Sequence, residues 1–171
     1  NLIRPPGGLE TLTVITMVDS SGVTELDPYT QGGWVVVVND GVVAWKSKKR
    51  TTVTRSSAKG ELLAMVDAVD YMEHVKGFLN QAWKSVRVCL FSDAKDVIAE
   101  VKKDHPNPIE KASIGIIQRL KDKACAVNVH SLREHETQRK VEVDYVETRK
   151  NLADCLTKPM TVEALRYLMR R

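Results

Sequence analysis

The chain has 171 residues, enough for one domain with a real hydrophobic core, and its 43% hydrophobic and 28% charged content is that of a globular protein. No apolar run approaches the roughly 18 residues a membrane span needs, which argues against a membrane protein. A net charge of +4 favours a polyanionic partner only weakly, since a mixed-charge solvated surface gives the same count.

Asn1 to Glu10 has no initiator Met and no signal-peptide pattern, and Pro5-Pro6-Gly7-Gly8 gives it the composition of a linker. We read 1–10 as a linker in a piece cut from a longer polypeptide. Leu12 to Val18 is β-branched and apolar on both faces, the pattern of a central strand, and ends at Asp19. After a loop through Asp27-Pro28, Gly33 to Val38 and Val42 to Ser47 flank Asn39-Asp40-Gly41, whose Asp-Gly pair signals a tight hairpin. Trp34 and Trp45 then stand on facing strands, which suits a cross-strand packing pair better than a base-stacking platform. From Leu62, apolar residues fall at 62, 65, 66, 69, 72 and 75, a helix with one buried face that fades near Gly77.

Val86 to Phe91 is a fourth strand, ending at Ser92-Asp93. A short helix carrying Val97, Ile98 and Val101 follows, stopped by His105-Pro106-Asn107-Pro108. Ile109, Ala112, Ile116, Ile117 and Leu120 mark another amphipathic helix. Residues 124–139 read either way: Val127 and Val129 alternate like a strand, while Ser131 to Arg139 suits a helix. Val141, Val143 and Tyr145 give a fifth strand, and a helix after Pro159 turns Val162, Leu165, Leu168 and Met169 inward. A three-strand meander joined through a helix to further strands requires a mixed α/β sheet.

Glu61 lies on the buried side of its helix. A capping box would explain a Glu near a helix start, but the residue three before it is Ala58, so the register is wrong. A carboxylate at the edge of a core needs a cation to offset its burial. Asp19 and Asp93 each close an apolar strand at its carboxyl end, the edge where open α/β sheets bind ligands. Asp154 sits in the apolar segment Asn151 to Leu156. Singly, Asp93 also reads as an N-cap, Asp19 as a turn residue and Asp154 as a cap of the last helix. Together they form four acids at element ends, and an all-oxygen set suits Mg²⁺ or Mn²⁺ better than zinc. The three cysteines, Cys89, Cys125 and Cys155, form no CxxC pair, which points to a reducing intracellular compartment. His130 and His135 have a spacing that fits no standard helical ligand pair.

Four strings, read in this order, resemble the ribonuclease H domain of copia-type LTR-retrotransposon reverse transcriptases. They are Gly41 to Lys49 followed by Ser56-Ser57-Ala58-Lys59-Gly60-Glu61, then Ser92-Asp93-Ala94-Lys95, then Leu152-Ala153-Asp154-Cys155-Leu156-Thr157-Lys158-Pro159. The resemblance spans about Thr11 to Pro159, so 11–159 is expected to be the domain and 160–171 a C-terminal helix or tail. Departures are Ser20-Ser21-Gly22-Val23 after the first Asp, and Lys59-Gly60 where the family commonly has Glu-Ala. The family's four catalytic acids map onto Asp19, Glu61, Asp93 and Asp154.

The resemblance implies an RNase H-like fold with a five-stranded mixed sheet, and hydrolysis of the RNA strand of an RNA–DNA hybrid with two Mg²⁺ ions, for which Mn²⁺ substitutes. Asp19 would bridge both ions, Asp154 would help hold the water-activating one, and Glu61 and Asp93 the other. Glu61 would also contact a ribose 2′-hydroxyl. Lys46, Lys48, Lys49 and Arg50 are candidates for backbone phosphates, with a solvated face as the alternative. A polymerase domain in the same polypeptide and a cytoplasmic or retrotransposon-particle location are implied as well. The alternative function is a catalytically retired domain serving as a structural or RNA-binding part of a larger complex. An integrase-type nuclease is disfavoured because its Glu belongs on the last helix.

Overall fold

The structure is a computed structural model that describes residues 11–22, 29–51, 56–103 and 123–169. The linker at 1–10 and the helix expected over 109–120 lie outside the described residues. The sheet has five strands in the order β3-β2-β1-β4-β5, with β1 at its centre. In β1 (Thr11–Ser20) Leu12, Val14, Thr16 and Val18 are buried on one face. On the other face Thr13 is exposed and Ile15 and Met17 are half-buried, so one face carries most of the core.

β2 (Gln31–Val38) runs antiparallel to β1, and β3 (Gly41–Lys49) antiparallel to β2. The hairpin turn is Asn39-Asp40 rather than Asp40-Gly41. Val38 pairs with Gly41, and both turn residues take positive φ, 50° and 62°. A two-residue turn of the type that matches strand twist needs positive φ twice, and Asn and Asp tolerate it best after glycine. The expected Trp34–Trp45 pair is not formed. Trp34 opposes Lys46 and Val35 opposes Trp45, so the two indoles leave the sheet on opposite faces. Trp34 is buried against the Tyr71 ring, 4.5 Å between centroids, while Trp45 is 65% exposed.

The crossover helix α1 (Ser57–Leu79) starts at the N-cap Ser56, whose hydroxyl accepts from the Lys59 N–H at 3.3 Å. Such a cap contributes about 1 kcal/mol. Leu62, Met65 and Met72 are fully buried, each worth about 1.5–3 kcal/mol, so the apolar face holds this helix in place more than its cap. It continues through the exposed Gly77, past the expected end, and Asn80 caps it.

β4 (Ser85–Ser92) returns parallel to β1, and β5 (Glu142–Tyr145) lies parallel to β4. Between them, α2 (Lys95–Lys102) buries Val97, Ile98 and Val101. The two-way reading of 124–139 resolves as a helix, α3 (Lys123–Thr137), which buries Cys125, Val129 and Leu132 and packs on α1 and α2. Val127, which suggested a strand, is exposed.

After β5 come a 3₁₀ turn, Thr148–Lys150, a four-residue helix α4 (Asp154–Thr157) and a last helix α5 (Val162–Met169). The inward stripe expected for α5 is not observed: Val162 and Leu165 are 57% and 42% exposed. The side chains of Leu168 and Met169 lie outside the described set. Among the described residues no helix is long and apolar enough to cross a membrane.

The sheet admits α4 through Gly33. A Cβ there would come within 2.9 Å of Leu156 Cβ and 3.0 Å of Thr157 Cγ2. Gly33→Ala is therefore expected to destabilise the fold by roughly 1–3 kcal/mol, the range for overpacking. Urea denaturation measures this, and an unchanged midpoint would mean that α4 is not seated on β2.

Candidate metal centre

The parallel register of β1 and β4 pairs Val18 with Ser92, so the next residue on each strand, Asp19 and Asp93, leaves the sheet at the same carboxyl edge. Asp19 faces Gly33 across the antiparallel β1–β2 pair, which adds no side chain opposite it. Glu61 lies one turn into α1, on its buried side. One carboxylate oxygen from each of Asp19, Glu61 and Asp93 lies within 4.8 Å of the others. Two of the single-residue alternatives fail: Asp19 is inside β1, and α2 has Ala94 as N-cap with no side-chain cap from Asp93.

Burial and repulsion shape this cluster. Glu61 Oε1 accepts the Ser20 N–H at 3.2 Å, whereas Oε2 is buried with no hydrogen-bond partner among the described residues. Desolvation first, then the charges of Asp19 and Asp93, push the Glu61 carboxyl up from 4.5 to about 9, against a smaller opposing effect of the Ser20 amide. Burial also raises Asp19, partly offset by the Thr157 hydroxyl and the Lys158 ammonium. The Thr157 hydroxyl donates to Asp19 Oδ2, and the Thr148 hydroxyl donates to Asp93 Oδ2 at 2.6 Å.

Asp154 is brought to this edge by the segment after β5. Asn151 is fully buried and donates to the Val18 carbonyl at 2.8 Å, while its own oxygen accepts from Ala153 N at 3.1 Å. This pins the segment under the end of β1 and starts α4 at Asp154, for which Ala153 is the N-cap. Asp154 is not one of the three clustered acids. It is tied to them by Lys158, whose Nζ lies 2.7 Å from Asp154 Oδ1 and 3.7 Å from Asp19 Oδ2.

The basic candidates divide. Lys46 and Arg50 each lie 3.4 Å from Asp67 Oδ2 and so are ion-paired within the fold. Lys49 lies over the Tyr29 ring at 5.6 Å, and Lys48 is exposed. Asn151, Thr148, Thr157 and Lys158 carry no role in the sequence reading. Only Lys158 had a visible signal, its i,i+4 spacing from Asp154.

A hard divalent cation fits this donor set. All the donors are carboxylate oxygens, and among the described residues Glu61 Oε2 has no protein donor to satisfy it.

A central strand flanked by an antiparallel meander on one side and parallel strands on the other, with acids at the shared edge, defines a ribonuclease H-like fold. The N-terminal RNase H domain of a Mycobacterium tuberculosis protein, solved fused to maltose binding protein, matches over 93% of this chain and 97% of its own, with TM-score 0.53 and 17% identity. LC11-RNase H1 in complex with an RNA/DNA hybrid matches over 85% and 93%, with TM-score 0.52 and 14% identity. A foamy viral protease-reverse transcriptase in complex with dsDNA matches over 85% and 90%, with TM-score 0.58 and 17% identity. In sequence, the chain is similar to the Transposon Ty1-NL2 and Ty1-DR6 Gag-Pol polyproteins of Saccharomyces cerevisiae, 24% identical over 145 residues and 82% of this chain. The chain spans 8% of the length of those polyproteins. No family model matches it. The retrotransposon resemblance carried by the motifs is thus borne out by relatives of that kind.

The raised carboxyls fix a pH dependence. Between about 4.5 and about 9 the folded protein holds a proton on Glu61 that the unfolded chain releases, so this contribution to stability is full below 4.5 and lost as pH rises through 9. In chelator, the wild-type thermal midpoint is expected to fall over this window more steeply than that of Glu61→Gln. Parallel curves would show that Glu61 is not buried among like charges.

Proposed function

We propose that the chain is a metal-dependent endoribonuclease that hydrolyses the RNA strand of RNA–DNA hybrids, as the RNase H part of a retrotransposon-type reverse transcriptase polyprotein. The observation that carries this reading is the Asp19–Glu61–Asp93 cluster, with an unpartnered buried Glu61 oxygen, at the carboxyl edge of two parallel strands. Support also comes from the LC11-RNase H1 likeness, a protein solved with an RNA/DNA hybrid, and from the Ty1 Gag-Pol similarity. The domain is assigned to 11–159, and the substrate and parent polypeptide rest on the same reading.

Asp19, Glu61, Asp93 and Asp154 would hold two divalent ions, with Mg²⁺ as the physiological choice. When bound, such ions activate water and stabilise charge on the attacking and leaving oxygens of a phosphodiester. Glu61 would give up its proton to a bound cation, which would link loading to pH. Thr148 fixes the orientation of Asp93, and Thr157 that of Asp19. Asn151 keeps Asp154 at the rim of the site. Lys48 and Lys49 are assigned to backbone phosphates, while the Asp67 pairing makes Lys46 and Arg50 contributors to local shape first.

The test uses labelled RNA–DNA hybrid, duplex DNA and duplex RNA, with Mg²⁺ and with chelator. Cleavage of the RNA strand of the hybrid alone, only with Mg²⁺, is expected. Asp93→Asn is expected to lower the rate by roughly two orders of magnitude or more, the scale of several kcal/mol of lost charge stabilisation. Hybrid binding should change little, because phosphate contacts carry most of the affinity. Intact wild-type protein that binds hybrid in Mg²⁺ without cleaving it would overturn the nuclease reading and leave a retired binding domain.

A further inference from the structure

Lys158 is the C-cap residue of α4, one turn beyond Asp154, and its ammonium lies between two carboxylates from different elements. The side chains of Asp19 and Asp154 are 3% and 11% exposed, so water does little to screen the negative charge that the ammonium balances. The Lys158 side chain itself is 41% exposed and carries a four-carbon stem, which gives the ammonium an open route to solvent. Among the described basic residues near the sheet edge, Lys46 and Arg50 are directed to Asp67 instead.

An ammonium bridging Asp19 and Asp154 takes up carboxylate oxygens that a divalent cation there would need, and opposes it with like charge in a partly buried site. Resting on the two-metal reading above, we infer that Lys158 is an internal counter-cation that holds the Asp19–Asp154 side of the site in the metal-free protein and is displaced when a divalent ion binds there. Glu61 Oε2 and Asp154 Oδ1 both lack a hydrogen-bond partner among the described residues, and of the two only Asp154 Oδ1 has an ammonium in ion-pair contact, at 2.7 Å. The Asp154 side therefore binds its ion against a competing ammonium charge. Lys158 is a positioning residue for Asp154 before loading and sets the affinity of that ion.

The first measurement uses the wild-type protein. Amines are acetylated in chelator and in saturating Mg²⁺, and each lysine is quantified by mass spectrometry, with exposed Lys48 as internal reference. Acetylation at Lys158 is expected to rise several-fold with Mg²⁺ while Lys48 stays constant; an unchanged or reduced Lys158 signal would overturn displacement.

The second is calorimetric titration of Mg²⁺ into wild type and Lys158→Gln. In the variant the weaker binding event is expected to tighten by roughly tenfold, from relief of charge competition. Its thermal midpoint should be lower in chelator and close on wild type as Mg²⁺ rises. An ordinary stabilising ion pair would instead give the same deficit at every Mg²⁺ concentration. If wild type binds Mg²⁺ and cleaves hybrid but neither the labelling nor the affinity responds, the counter-cation role falls and the nuclease reading stands. If wild type neither binds Mg²⁺ nor cleaves, both fall.

Discussion

Three carboxyl groups held together at the edge of a sheet are an electrostatic liability, and most of what is unusual in this chain follows from it. With a carboxyl pushed from 4.5 to about 9, ionising Glu61 in the folded protein without a counter-charge costs on the order of 6 kcal/mol. That is comparable with the total stability of many domains. No helix cap or surface ion pair offsets a cost of this size, since each contributes about 1 kcal/mol or less. Keeping a proton lowers the cost in the absence of metal, by less and less as pH rises from 4.5 towards 9, and a divalent cation offsets it while leaving the carboxylate charged. The arrangement makes sense as a site whose charge is completed by something bound.

The scaffold exists to make that liability persist. β1 and β4 are parallel and paired up to Val18 and Ser92, which brings Asp19 and Asp93 out at the same edge. The apolar face of α1 is locked by fully buried Leu62, Met65 and Met72, so Glu61 cannot withdraw without uncovering the core. The Asn151–Val18 hydrogen bond joins residues 133 apart in sequence and carries Asp154, Thr157 and Lys158 to the same edge. Gly33 supplies the missing side chain that lets this late segment lie against β2.

What was legible in the sequence is what local periodicity controls. The strands ending at Asp19 and Asp93, and the helix whose apolar stripe includes the Glu61 side, follow from spacing alone. The mixed sheet follows from their order. The errors share a different origin. Placing the hairpin turn one residue late and pairing Trp34 with Trp45 both came from register, which is set by cross-strand hydrogen bonds that no single segment encodes. Residues 124–139 carry too few apolar positions to fix a period, and packing on α1 and α2 decides them as a helix. In α5, Val162 and Leu165 have helical spacing yet remain exposed, because spacing states which residues share a face and not what covers it. Thr148 meets Asp93 across 55 residues, a contact that only the tertiary fold creates.

The claim at the centre of this account is that the acids around Asp19 are metal ligands. Crystals of the protein soaked in Mn²⁺ and measured at the manganese absorption edge test it directly. The account predicts anomalous peaks bounded by Asp19, with one coordinated by Glu61 and Asp93, and with Lys158 turned away wherever a peak lies beside Asp154. Absence of any peak at these acids in an ordered site, with Glu61 still buried and Lys158 still bridging Asp19 and Asp154, would contradict it.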